Sequence, residues 1–127
     1  MRKGDQILIS RPLGTGVIFS AFMNGKVSPL LIDNVLKEMN KSQHEIINYI
    51  NQLQQENQHI NIVSACTDIT GFGLIGHLTE MLNSTNSQLL NINLDPVKIN
   101  LELDSIPVYD GVKELIDRGF ESTLSPA

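Results

Sequence analysis

The chain has 127 residues, 41% of them hydrophobic, which is close to the commonest domain size and enough for one buried core. Nine Lys and Arg against fourteen Asp and Glu give a formal net charge of −5, the reverse of the basic surface that a nucleic-acid binder needs. No apolar run approaches the about 18 residues of a membrane span, the polar start lacks the apolar centre of a signal peptide, and the lone Cys66 excludes an internal disulfide, so a soluble, cytoplasmic chain without a membrane role is expected.

In chain order, Asp5 to Ser10 reads as a short apolar strand that Pro12 must end, since proline disfavours helix at Arg11. The turn Gly14-Thr15-Gly16 follows, and Val17 to Met23 continues as a helix. Ser28-Pro29 starts a second helix through Met39, and the capping-box pattern Ser42-x-x-Glu45 starts a third through about Gln55. On the third helix Ile46, Ile47, Ile50 and Leu53 form one apolar stripe, expected to pack on a sheet. Gln54 to Asn61 is a polar connection. His59 to Ala65 contains Ile60, Ile62 and Val63 and reads as a buried strand.

Leu74, Ile75, Leu78, Met81 and Leu82 then recur at helical spacing, with a turn at Asn83 to Ser87. Strand-like segments are expected at Leu89 to Leu94 and Val97 to Leu103, interrupted by Pro96. A last short helix around Val112, Leu115 and Ile116 closes at Gly119. Strands interspersed with helices predict an α+β fold, a layered α/β sandwich with a mixed or mainly antiparallel sheet and helices packed on it.

The chemistry gathers at Cys66-Thr67-Asp68-Ile69-Thr70-Gly71-Phe72-Gly73, where a strand, a carboxylate, a glycine loop and a helix start succeed one another. A helix N-terminus favours anions, and Gly71 and Gly73 let the backbone come close to one. Magnesium takes only one or two protein carboxylates and completes its shell with water and phosphate oxygens, a role Asp68 fits. Asp near a helix start also serves simply as a cap, with Thr70 offering a second oxygen to the free amides. The strand, glycine turn and helix at Gly14, Thr15 and Gly16 are a second copy of the same architecture, and this weighs toward a ligand site. Elsewhere the signals are structural. Cys66 at the end of an apolar strand reads as a small core residue beside an acid that disfavours thiolate. His44, His59 and His77 show no zinc spacing; the first two read as surface residues and His77 as a helix-packing or exposed one.

Together Lys3-Gly4-Asp5, Arg11-Pro12-Leu13-Gly14-Thr15-Gly16-Val17, Thr67-Asp68-Ile69-Thr70-Gly71-Phe72-Gly73-Leu74-Ile75-Gly76-His77-Leu78 and Ile106-Pro107 resemble the C-terminal half of the selenide, water dikinases, or selenophosphate synthetases, within the aminoimidazole ribonucleotide synthetase-related superfamily. The likeness includes Met39-Asn40, Asp110-Gly111-Val112, Gly119 and Ser122-Thr123-Leu124-Ser125-Pro126-Ala127. It implies ATP-dependent formation of selenophosphate from selenide and water, with ATP as substrate, magnesium as cofactor and a homodimeric complete enzyme. By position Asp68 resembles the family's metal-binding aspartate of this half, while Thr67, Thr70, Gly71, Gly73, Gly14, Thr15 and Gly16 are nucleotide or phosphate-loop candidates. No catalytic residue is expected in this chain. The N-terminal half, with its reactive Cys or selenocysteine, its Lys and further aspartates, has no counterpart here, so residues 1–127 read as a single C-terminal-type domain, excised or truncated, with that half as its missing partner and one wall of the Mg–ATP site as its contribution. Two other readings stay open, a non-catalytic regulatory or interaction module and a domain of another synthetase or kinase of the superfamily.

Overall fold

The computed structural model of the chain describes residues 1–122 and Leu124. Thr123 and Ser125-Pro126-Ala127 of the C-terminal string lie outside the described residues. Five α-helices follow one another, α1 Thr15–Met23, α2 Pro29–Met39, α3 His44–Glu56, α4 Gly73–Asn91 and α5 Val112–Asp117, with a 3-10 turn at Leu103–Ser105 before the last. Helix α2 keeps the bounds read from its sequence. Pro29 opens it and the Leu31 N–H donates to Ser28 Oγ at 3.3 Å, satisfying one of the amides a helix start leaves open. Helix α5 also ends as read. Gly119 has a φ of 83°, its N–H donates to the Ile116 carbonyl at 2.8 Å, and the Phe120 N–H donates to the Leu115 carbonyl at 3.0 Å, the paired bonds of a Schellman motif.

The buried centre is helical. Ile18 and Ala21 of α1, Ile32 and Val35 of α2, and Val112 and Leu115 of α5 form one cluster, with Val17, Phe19, Leu31, Tyr109 and Phe120 packed against it. Helix α1 is the shared element, touching both α2 and α5. Arg11 closes the far end of this unit: its guanidinium donates to the carbonyls of Met39, at 2.9 Å, and Lys41. Those carbonyls stand at the end of α2 and just beyond it, where helical acceptors lack partners and carry partial negative charge, so a cation belongs there.

The expected sheet is not formed among the described residues. Extended pairing is confined to one isolated parallel bridge between Leu13 and Val108, in which the Leu13 N–H donates to the Pro107 carbonyl at 2.8 Å and the Tyr109 N–H to the Leu13 carbonyl at 3.0 Å. The runs Asp5 to Ser10, His59 to Ala65, Leu89 to Leu94 and Val97 to Leu103 have no ladder between them. Apolar alternation encodes a face to bury, whereas a strand also needs a second edge to exchange backbone hydrogen bonds with, and these runs form no backbone pairing with one another among the described residues. Several of their side chains stay open accordingly, Leu8 at 85% and Ile60 at 60% exposure, while Val97, Ile99 and Leu101 are half-buried. Helix α3 follows suit, because the face meant to cover its Ile46–Leu53 stripe is missing and none of its residues is buried.

Two further boundaries shift. The polar run Asn83 to Ser87 contains no Gly or Pro, and α4 continues through it to Asn91. Its polar side chains then act as ties: Asn86 accepts from the Val97 N–H at 2.8 Å and donates to the Val97 carbonyl at 3.1 Å, so one amide mimics a strand partner for the segment after Pro96. At Ser42 the hydroxyl accepts from the His44 N–H at 3.1 Å, and α3 starts from Gln43 without the reciprocal bond of a capping box.

The N-terminal turn is held by a carboxylate. Asp5 Oδ2 accepts from the Arg2 N–H at 2.8 Å, and the Ser64 hydroxyl first, then that amide, hold the Asp5 carboxyl below its ordinary value of 3.8. A depressed carboxylate stabilises the fold above its unfolded value, and that contribution is lost as pH falls through the folded one. The Asp5 carboxyl carbon should therefore titrate by NMR with a midpoint below 3.8, and its protonation should release residues 2–5 from Ser64. A midpoint at or above that value would mean that Ser64 and the Arg2 amide do not hold the Asp5 carboxylate.

No helix among the described residues is long and apolar enough to cross a membrane.

Candidate functional site

Residues Cys66 to Thr70 run exposed and without regular structure into a turn, where the Gly73 N–H donates to the Thr70 carbonyl at 2.9 Å and α4 begins. Asp68 lies upstream of this turn, and it does not cap the helix. No side chain caps α4, and the contact within the Thr67–Asp68 pair is the Thr67 hydroxyl donating to the Asp68 carbonyl at 3.2 Å. Among the described residues no hydrogen bond or ion pair uses the Asp68 carboxylate. Its structural employment as a cap, the plainest alternative in the sequence, is therefore absent.

Thr70 is engaged differently from the expectation. Its hydroxyl and its backbone N–H lie 3.0 and 3.1 Å from Nε2 of His77, which is 9% exposed on the first turns of α4. Phe72 sets its ring edge-on to the same imidazole, with centroids 6.3 Å apart. From the sequence His77 read as a helix-packing or exposed residue; the available signal was its place about one turn into α4, where side chains tilt toward the helix N-terminus and so back over the entry loop.

The glycines divide by what faces them. A Cβ on Gly14, whose φ is 105°, would stand 2.6 Å from a Val112 methyl, and one on Gly16 would stand 2.5 Å from Ser122 Oγ. One on Gly71 would overlap Leu124 Cδ1, whereas Gly73, with a φ of 72°, faces open space. Ser122 and Leu124 are joined by the Leu124 N–H donating to Ser122 Oγ at 3.3 Å. The segment after α5 thus touches both glycine turns and brings Gly16 and Gly71 to one side of the molecule. Thr15 is the first residue of α1. No hydrogen bond joins the Gly14–Gly16 turn to Thr67 or Asp68 among the described residues.

The described residues contain no cluster of three or more His, Cys, Asp or Glu side chains able to hold a metal. Asp68 therefore stands as a single carboxylate, without a second acidic, His or Cys cluster around it among the described residues. Cys66 is exposed, because the run before it is not buried in a sheet and so ends in no core. His44 and His59 are exposed, as read.

The family model described as "AIR synthase related protein, C-terminal domain" matches residues 2–114. The chain belongs to this family. Within it, the chain is similar to selenide, water dikinases: 37% identical over 122 residues to that of Caldanaerobacter subterraneus subsp. tengcongensis, 30% over 118 residues to that of Geobacter metallireducens and 33% over 116 residues to that of Campylobacter jejuni subsp. jejuni. These alignments cover 93%, 93% and 91% of this chain but 29%, 29% and 28% of the relatives, so the chain spans under a third of the length of the proteins it resembles. No solved structure gives a significant match.

Proposed function

We propose that this chain is the C-terminal domain of an ATP-dependent selenide, water dikinase and contributes one wall of a Mg–ATP site, with Asp68 as a magnesium ligand. The observation that carries the reading is the exposed Asp68 carboxylate, which the fold leaves unused beside a glycine turn and a helix start. Magnesium requires few protein carboxylates but several oxygens, and here one carboxylate without neighbours suits a shared site whose other ligands lie on the N-terminal half of the enzyme and on the nucleotide phosphates. When bound, the ion would neutralise phosphate charge at the reacting group.

The chain's own contribution would be a fixed carboxylate at Asp68 and open backbone at Gly73, facing the positive end of α4. Thr67, Thr70 and Gly71 would shape that loop, and Gly14, Thr15 and Gly16 the neighbouring turn. The runs Asp5 to Ser10 and His59 to Ala65 would gain their missing edges from the rest of the enzyme, which would complete a mixed sheet.

The test is a chimera in which this chain replaces the matching segment of the Caldanaerobacter enzyme, assayed for selenide-dependent AMP release from ATP. Turnover supports the reading. A folded, inactive chimera would leave the domain as a non-catalytic module of the family.

A further inference from the structure

The Asp68 loop is tied to the side of α4 through Thr70, and the side chain that holds it there is an imidazole. A backbone N–H can only donate, so the Thr70 amide, 3.1 Å from His77 Nε2, requires a lone pair on that nitrogen. With Nε2 an acceptor, the Thr70 hydroxyl at 3.0 Å must also donate to it, in a three-centre arrangement. The ring proton then resides on Nδ1, which faces Glu80 Oε2 at 3.5 Å. Glu80 is one helical turn further on and largely exposed, with 78% of its side chain open against 11% for His77. The imidazole thus receives two donors from the loop at Nε2 and has an exposed carboxylate of its own helix within 3.5 Å of Nδ1.

We propose that His77 is a positioning residue: as the neutral Nδ1–H tautomer it clamps Thr70 by two hydrogen bonds and so sets the direction in which the chain leaves Asp68 and enters α4. Three features make the clamp specific. The ring is buried while the loop residues from Cys66 to Thr70 are exposed, so the loop borrows its order from the helix. Phe72 flanks the ring edge-on, with centroids 6.3 Å apart. The Thr70 hydroxyl, the side chain best placed to cap α4, is committed to the ring instead, and α4 has no side-chain cap. The functional consequence of the clamp rests on the reading of Asp68 as a magnesium ligand; the clamp itself does not.

The experiment uses this chain first and needs neither nucleotide nor metal. Long-range proton–nitrogen NMR of the wild-type protein should show His77 protonated at Nδ1 with Nε2 in the shift range of a hydrogen-bonded acceptor. Amide exchange at Thr70 should rise about threefold to tenfold in His77→Leu and His77→Asn, the range set by one net hydrogen bond. It should stay near the wild-type rate in His77→Gln, whose Oε1 occupies the place of Nε2, whereas the Asn oxygen occupies the place of Nδ1. Exchange at Val35 and Val112 monitors the core in each variant. An Nε2–H tautomer in the wild-type protein, or a Leu variant that protects Thr70 as well as Gln does, would overturn the proposal. In the chimera, His77→Asn should lower turnover about tenfold and His77→Gln should not; equal turnover in both would show that the clamp does not position the site. Because the NMR readout requires no activity, failure of the dikinase reading and failure of the clamp give different results.

Discussion

Gly14→Ala is expected to destabilise the chain by about 2–4 kcal/mol, the sum of a left-handed backbone penalty and overpacking of the core. At φ 105° an L side chain is strained whatever surrounds it, and here the added Cβ would also lie 2.6 and 2.7 Å from both methyls of Val112. Val112 is 2% exposed and β-branched, so it has little room and few rotamers with which to give way. The usual gain from restricting the unfolded chain offsets less than about 1 kcal/mol of this. For a domain of this size a fall in melting temperature of roughly 10 °C follows.

Gly111→Ala is the matched control. Gly111 precedes α5 with a φ of 81° but faces nothing within 4 Å, so its substitution carries the backbone penalty alone. Thermal unfolding of the two variants separates the contributions: a Gly14→Ala protein no less stable than the Gly111→Ala protein would mean that Val112 yields and that close approach is not why residue 14 lacks a side chain. Partial recovery in the Gly14→Ala, Val112→Ala double variant would locate the clash directly.

Asp68→Asn is expected to lower selenide-dependent turnover of the chimera about a hundredfold or more, the scale on which removing one group that stabilises developing charge acts. Asparagine keeps the size and one carbonyl oxygen but loses the charge that attracts a divalent cation. Asp68 is exposed and spends its carboxylate on no structural bond among the described residues, so the melting temperature of the isolated chain should not move. That separation gives the experiment its force. A fall in activity with unchanged stability, recovered in part by raised magnesium, is the signature of a lost ligand. Wild-type turnover and magnesium dependence in the Asn variant would sink the assignment, and a large loss of stability would return Asp68 to a structural role.

The part of this protein that the sequence alone determined is local. Ser28 and Pro29 start α2 and Gly119 ends α5, because caps and fixed proline φ angles act within a few residues of themselves. The motif around Asp68 was equally legible, since the family string is contiguous. What lay beyond the sequence required a partner distant along the chain. Asp5 to Ser10 and His59 to Ala65 have the alternation of strands, yet pairing depends on which edge meets which, and among the described residues they meet none. Asn83 to Ser87 has turn composition, yet without glycine or proline it follows the helix it continues.

Tertiary structure also decided the occupants of the glycine turns. Gly14 answers to Val112 and Gly16 to Ser122, pairs about a hundred residues apart that no local pattern announces. It decided, too, that Thr70 would bond His77 rather than cap α4, because a buried imidazole with a free lone pair offers two donors one acceptor at once, while the amides of an exposed helix start can turn to water.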